Sequence, residues 1–550
     1  MQVRTLLVVV IGITAMGLML AKGVIATTPP QVQGWGCNQF GQTGTGPATL
    51  TDCTPSVDSP SAVVCVATVP CDADGHLKNI IALASGMDHS LALTADRKVL
   101  TWGNNALGQL GWGYIPPVPG GNDPPLTAYS EIPGNIVSPF LSKKNIMSIA
   151  GGREISIVAD SEGHVWTWGG TAHGMLGRVQ QSGDPAYWNR APGLVISPSD
   201  PTQPLEGIVS VAAAYYYCLA LHTDGTVYAW GWNFYGVLGM PADNDTHVTP
   251  VQIQGLSDVV AISAGRQFAA ALKRDGSIWT WGVPGSGELG RPASDSPWIP
   301  APVLNISNVV AISCGSSNVM ALDQTGQAWA WGWGGHCITG QTGNTSTPRM
   351  INVPPLPAPP DPVNAISVGF THALAITASG KVWAWGYNQY GQLGIGIPPP
   401  PVDYCAPVLV PTLGTLGALA VAASAQEGFH SLAIFCDGSQ SLGTPSAPTF
   451  WSNNGGATLV VEWPEVVGAN RYDVYRKEAR GCGEQGDWVR IGENVPATRF
   501  FDTTLTPTVF NSYYIVARNA CGLDQTAGPC NQILFYEPPP PPPPPPPPRG

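Results

Sequence analysis

Between Val259 and Gly282 the chain reads Val-Val-Ala-Ile-Ser-Ala-Gly, three variable residues, Ala-Ala-Ala-Leu, Lys-Arg-Asp-Gly, then Ser-Ile-Trp-Thr-Trp-Gly. Short β-branched, aliphatic and aromatic runs split by an Asp-Gly pair predict strand, hairpin, strand. The pattern recurs. Trp-Gly stands at Trp35, Trp102, Trp168, Trp230, Trp281, Trp331 and Trp385, each with a second glycine nine residues on (Gly44, Gly111, Gly177, Gly239, Gly290, Gly340 and Gly394). Sixteen residues before six of those tryptophans come Gly86, Gly152, Ala214, Gly265, Gly315 and Gly369. Five residues before the Trp stands Gly163, Gly225, Gly276, Gly326 or Gly380, and the first copy departs with Arg97. A fixed period of this kind marks a repeat architecture. A fourth, outer strand is expected at segments such as Thr249 to Ile253, where a proline is tolerable on an unpaired edge.

The small-Gly turn, the His-Ser-Leu-Ala-Leu run from His89 to Leu93, and Trp-Gly-x-Asn-x-x-Gly-Gln-Leu-Gly from Trp102 to Gly111 carry a resemblance. The repeat resembles that of the regulator of chromosome condensation family, and the likeness extends from about Gly34 to Gly443. The resemblance implies an all-β fold with a seven-bladed β-propeller over residues 31–443. The first copy begins mid-repeat at Trp35, and the last is an orphan first half, Gly428 to Ile434. Joining the two would build one blade from both ends of the repeat region and remove the exposed edges of an open ring.

Beyond Gly443 the pattern changes. Leu459-Val-Val-Glu-Trp463, Arg471-Tyr-Asp-Val-Tyr-Arg476 and Tyr513 to Gly522 resemble a fibronectin type III domain over residues 444–537, implying a C-terminal β-sandwich. The tyrosine that usually opens the sixth strand is displaced, with Asn511 near its place. Residues 538–550 carry Pro538 to Pro548, a stiff polyproline II spacer. The long Pro/Gly-rich connectors, such as Ile115 to Ser142 and Arg178 to Glu206, read as surface loops.

Composition narrows the setting. Arg4, the apolar run Leu6 to Leu20 and the small-residue site at Val24-Ile25-Ala26 read as a signal peptide over residues 1–26, so the expected location is secreted or cell surface. Twelve cysteines fit export, and those at Cys53, Cys65, Cys71, Cys482, Cys521 and Cys530 are expected in disulfides, with connectivity open. Cys218 and Cys314 lie in repeat strands and are expected as buried thiols. A formal net charge of -12 argues against wrapping nucleic acid.

Catalytic chemistry is not indicated. His89, His372 and His430 share one repeat position that Ile155, Tyr217, Phe268 and Asn318 fill elsewhere, which marks a packing element. Asp72-Ala-Asp74-Gly75 and Asp243-Asn-Asp245 lack the remaining ligands of a calcium loop. No metal, cofactor or enzymatic activity is therefore expected. The favoured function is a secreted protein-binding propeller. The alternatives are a guanine-nucleotide exchange factor for a small GTPase, disfavoured by export, and a carbohydrate-binding or cell-surface accessory module, possessing no paired carboxylates at a definable site.

In a four-stranded meander the loop between strands one and two shares a face with the loop after strand three. Those two loops vary between copies and gather rings and arginines, the residues that dominate interface cores. The expected partner-binding residues are Tyr215, Tyr216, Trp232, Phe234, Tyr235, Arg266, Trp333, Phe370, Tyr387 and Tyr390, with Tyr215, Tyr216, Trp232 and Tyr235 at the centre. The opposite face should carry the Asp-Gly turns Asp224-Gly225, Asp275-Gly276 and Asp437-Gly438, together with the long connectors.

Overall fold

A computed structural model describes residues 31–45, 57–65, 69–71, 75–112, 129–136, 138–179, 188–292, 296–353, 361–396, 403–411 and 417–436 of the repeat region. Of the rest it describes 11–12, 15–16 and, with gaps, 445–534. The expected cleavage after Ala26, the Asp72–Asp74 and Asp437-Gly438 turns, Cys53, Cys482, Cys521, Cys530 and the polyproline segment lie outside the described residues.

The repeat region folds as antiparallel sheets of four strands. Sheet 1 runs Ile80–Ser85, His89–Thr94, Val99–Asn104 and Tyr129–Asn135; sheet 2 runs Ile146–Gly151, Ile155–Asp160, Val165–Gly169 and Gly193–Leu194. Sheet 3 comprises Ile208–Ala213, Tyr217–His222, Val227–Trp232 and Thr246–Gln252; sheet 4, Val259–Ala264, Phe268–Lys273, Ile278–Gly282 and Ala301–Pro302. Sheet 5 comprises Val309–Cys314, Asn318–Asp323, Ala328–Gly332 and Thr345–Ile351, and at its inner edge Gly12 of the two-residue strand Ile11–Gly12 pairs with Ile312. Sheet 6 comprises Val363–Val368, His372–Thr377, Val382–Gly386 and Tyr404–Leu409. Sheet 7 is discontinuous in sequence: Ala418–Ala423 and His430–Phe435 pair onward to Gln31–Gly36 and Val57–Ala62, with Trp35 opposite Ser431. The first strand of each sheet packs on the first strand of the next, and Ala418–Ala423 packs on Ile80–Ser85, so the succession returns to its start.

The nine-residue Trp-to-Gly spacing has a physical cause. All seven Trp-Gly indoles are fully buried. Each donates its N–H to a backbone carbonyl two residues before the second glycine of the preceding sheet: Trp102 to Gln42, Trp168 to Gln109, Trp230 to Met175, Trp281 to Val237, Trp331 to Glu288, Trp385 to Ile338 and Trp35 to Gln392, at 2.8–2.9 Å. The second glycine leaves room for that ring: a Cβ on Gly111 would stand 2.7 Å from the Trp168 indole nitrogen, and one on Gly290 as close to that of Trp331. The glycine beside the Trp has a different duty. Gly282 turns at φ +110, where a Cβ would lie 2.5 Å from the Gln267 carbonyl oxygen. In the first copy Arg97 takes the hairpin's left-handed turn itself, at φ 65.

The repeated histidines are a second set of inter-sheet latches. His89 Nε2 meets Ser156 Oγ at 3.0 Å, His372 meets Ser431 at 2.8 Å and His430 meets Ser90 at 3.1 Å. Each serine hydroxyl donates onward to a loop carbonyl (Gln109, Gln392 and Gln42), so it accepts from the imidazole N–H, which must be on Nε2. Burial holds the three rings neutral, lowering them to about 4 for His89 and about 3 for His372 and His430. Cys218 and Cys314 are buried free thiols. Cys65–Cys71 and Cys337–Cys405 are disulfides, the latter tying the loop between the third and fourth strands of sheet 5 to the outer strand of sheet 6, and Cys37 and Cys436 are also disulfide-bonded.

Past residue 444 two further sheets face each other. One holds Thr449–Ser452, Leu459–Glu462 and Arg499–Asp502; the other is built on Arg471–Glu478, Val489–Val495 and Phe510–Arg518. Leu459, Val461, Trp463, Tyr472, Val474, Tyr513 and Ile515 form their shared core. Tyr513 is buried in this core and its hydroxyl donates to Asp502 at 2.9 Å. This unit docks on the hairpin turns of sheets 4 and 5. Gln324 Nε2 donates to the Phe501 carbonyl at 3.1 Å while the Phe501 N–H donates to Gln324 Oε1 at 2.7 Å. The Phe501 ring joins a cluster with Val310 and Leu322, and Arg274 faces Glu462 at 3.9 Å. The Asp275-Gly276 turn thus lies on the covered side, away from the Trp-Gly loops. The long connectors, expected on that side too, leave instead from the Trp-Gly side: in sheets 1 and 2 they join the third strand to the fourth, from Asn104 to Tyr129 and from Gly169 to Gly193.

Candidate protein-interaction face

The loops that follow strand one and strand three of each sheet meet on one side of the repeat region, and their side chains form two aromatic groups. In the first, Trp232 is the hub. It stacks on Phe234 (centroids 4.9 Å, 20°) and on His173 (4.9 Å, 30°), and meets Tyr216 (5.4 Å) and Tyr235 (5.9 Å) edge-on. Phe234 is 47 % exposed, the largest exposure among these rings, and Trp232, Tyr216 and Tyr235 are half-buried. In the second group His336 lies 4.2 Å from Tyr387 and 5.6 Å from Trp333, and Tyr387 leads through Tyr390 to Phe429 and Phe370. Asp403 holds the His336 ring by a 2.9 Å contact to Nδ1.

All ten expected residues thus lie on these loops, but they do not play one role. Tyr215, expected at the centre of the contact surface, is 5 % exposed. Its ring lies between the guanidinium groups of Arg153 and Arg266, at 4.3 and 4.5 Å, and its hydroxyl donates to Glu427 at 2.9 Å. Burial is the main reason its phenol is raised above the usual range. Arg266 is engaged as well, 2.7 Å from Glu427. Tyr215 and Arg266 therefore hold the centre of the face together, while Tyr216, Trp232, Phe234 and Tyr235 present themselves. The loop carrying Glu427 starts from sheet 7 and reaches sheets 3 and 4, where Gln426 Nε2 also reaches the Ala264 carbonyl at 3.5 Å. Nearby, burial raises the Asp88 carboxyl to about 6, with Arg153 opposing.

Arg153, Phe429, His173, His336 and Glu427 contribute without being among the ten expected residues. His173 and His336 stand five residues after their Trp, the position held by Phe40, Tyr235 and Tyr390 in other copies, so register alone could have found them. Both adopt left-handed backbone, at φ 58 and 55, which turns the ring back over the strand-three aromatic. Glu427 carried no sequence signal. Among the described residues no cluster of His, Cys, Asp and Glu could hold a metal ion.

The geometry defines an all-β, propeller-like array of repeats with a ring-rich loop face. The chain carries regulator of chromosome condensation (RCC1) repeats, matched at residues 224–272, 275–322 and 379–434 and, by a second description of the same repeat, at 80–109, 208–237, 259–288, 309–336 and 363–392. It is similar to the ultraviolet-B receptor UVR8 of Arabidopsis thaliana, 27 % identical over 60 % of this chain and 70 % of that one. It is 30 % identical to the human E3 ubiquitin-protein ligase HERC2 over 66 % of this chain but 7 % of the ligase, and to protein pim1 of Schizosaccharomyces pombe over 40 % of each. Among solved structures, Prp20p from Saccharomyces cerevisiae, described with its binding properties to Gsp1p and histones, superposes with TM-score 0.60 at 21 % identity, over 76 % of this chain and 93 % of that one. Human WBSCR16 gives 0.59 at 21 %, over 74 % and 98 %. At that identity the structures speak for the fold.

Proposed function

We propose that the repeat sheets close as a seven-bladed propeller and that the protein is a secreted, non-catalytic binding module. A protein partner docks on the face carrying Tyr216, Trp232, Phe234, Tyr235, Trp333, Tyr387 and Tyr390. The observation that carries this reading is the hub at Trp232, where one sheet offers rings from both of its loops to solvent, while on the opposite side the turns of sheets 4 and 5 lie under the C-terminal unit. Amphipathic rings with few rotatable bonds gain contact area at low entropic cost, which suits an interface core. The apolar N-terminal run and the disulfides support export, the acidic charge argues against a nucleic-acid partner, and the C-terminal unit reads as a fibronectin type III-like sandwich with a polyproline spacer behind it.

A second reading, nucleotide exchange on a small GTPase, draws on the described binding of Prp20p to Gsp1p. It is less favoured because an exported chain does not meet such a GTPase. The test is a pull-down from the native extracellular milieu, followed by Tyr216→Ala and Trp232→Ala on the captured pair. Each should weaken binding by about 2 kcal/mol or more with the fold intact. Unchanged affinity for both, with loss on substitution at Asp224 instead, would move the site to the other face. Nucleotide release from a small GTPase would support the second reading.

A further inference from the structure

At the centre of the loop face, the chain binds one of its own carboxylates. Glu427 accepts from the Tyr215 hydroxyl at 2.9 Å and pairs with Arg266 at 2.7 Å, and Tyr215 is clamped between Arg266 and Arg153. The contact joins residues 212 apart in sequence, across from sheet 7 to sheets 3 and 4. It is not sealed: the side chains of Arg153, Arg266 and Glu427 are 29, 35 and 23 % exposed. Glu427 is held there in left-handed backbone at φ 64, a conformation unfavourable for a non-glycine residue. Arg153 is shared with Glu154 at 3.6 Å, whereas Arg266 has Glu427 as its carboxylate partner.

A guanidinium and a phenol converging on a carboxylate, with the second guanidinium, Arg153, stacked on the phenol ring, form a recognition site, and rings at Tyr216 and Trp232 adjoin it. We infer that Glu427 is a built-in stand-in for an acidic side chain of the partner. The partner is an acidic segment whose carboxylate displaces Glu427 onto Arg266 and Tyr215 while its neighbours pack on the Trp232 hub. The inference rests on the loop face being the binding face. The chain's net charge of -12 works against an acidic partner, so capturing one needs a local cationic site such as that of Arg266 and Arg153. Withdrawing Glu427 relieves the left-handed residue and leaves Arg266 uncompensated, so the exchange is poised rather than prohibitive.

The probe is a fluorescein-labelled octaglutamate peptide, with octaglutamine as control, titrated by anisotropy against the full chain at low and at 0.3 M salt. Glu427→Gly suits the left-handed backbone and removes the competitor. It should bind octaglutamate at least about tenfold more tightly than the native chain, the gain falling with salt and vanishing in Glu427→Gly/Arg266→Gln. Glu427→Gln, which keeps an acceptor for Tyr215, should fall between and serves if the glycine variant does not fold. Equal affinity of the native and both Glu427 variants, or a gain that survives Arg266→Gln, overturns the inference. If Trp232→Ala still weakens the captured partner in that event, only the carboxylate site is lost. If Trp232→Ala is without effect, the binding face itself is wrong.

Discussion

Acid should loosen the repeat array through three residues that touch no partner. His89, His372 and His430 are fully buried and neutral, their folded values lowered by burial to about 4, 3 and 3. In the unfolded chain an imidazole titrates near 6.5. The folded value is the lower one, so the stabilisation is fully present above about pH 6.5 and is lost as pH falls toward 3–4. Each ring contributes a slope of about 1.4 kcal/mol per pH unit in that window, hence about 2 kcal/mol lost by pH 5 and about 6 for the three. Asp88 works the other way: burial lifts its carboxyl to about 6, so the folded state takes up its proton first and regains about 1.4 kcal/mol by pH 5. The comparison that isolates the imidazoles is between the native chain and the triple variant His89→Asn, His372→Asn, His430→Asn, since sheet 5 already carries Asn318 at this position. Urea unfolding at pH 7.5, 6 and 5, followed by tryptophan fluorescence, reads both. The variant should be the less stable at pH 7.5, having lost three imidazole–serine latches, and the gap should close by several kcal/mol at pH 5. Parallel pH profiles for the two chains would refute the reasoning.

Trp281→Ala removes a filled inter-sheet space and the hydrogen bond to Val237, and should cost about 3–5 kcal/mol in urea unfolding. A chain ending at Gly414 lacks Ala418–Ala423 and His430–Phe435, leaving Gln31–Gly36 without its inner neighbour; it should lose the cooperative melt of the whole array, and a melt as sharp and as high as the native one would contradict closure. Gln324→Ala removes both hydrogen bonds that seat Phe501 and should release the C-terminal unit to limited proteolysis, with the melt of the repeats little changed.

The parts of the fold that repeat were open to reading, because a repeated constraint writes the same residue at the same offset. Each Trp donates to the carbonyl two residues before the second glycine of the preceding copy, seven times over, and in five copies (Gly44, Gly111, Gly177, Gly290 and Gly394) a Cβ on that glycine would meet the indole. The shared face of the two loops followed from strand alternation. What could not be read was the state of single residues fixed by distant partners. Tyr215 looks like its neighbour Tyr216, and only Glu427, 212 residues away, distinguishes the clamped ring from the presented one. Likewise nothing in Gln324 announces that its amide is to seat the Phe501 backbone, since a surface glutamine in a hairpin turn is ordinary. His173 and His336 were hidden for another reason: they fall in connectors whose variable length draws attention from the fixed offset to Trp.

The central claim is that one face does the binding, and site-directed photocrosslinking tests it most directly. A benzophenone amino acid replaces Phe234, 47 % exposed at the Trp232 hub, in one sample and Asp224, 58 % exposed on the opposite turns, in another. Both are irradiated in the native extracellular milieu. A discrete protein adduct should form from position 234, suppressed by Trp232→Ala, and none from 224; an adduct from 224 alone would put the partner on the opposite turns.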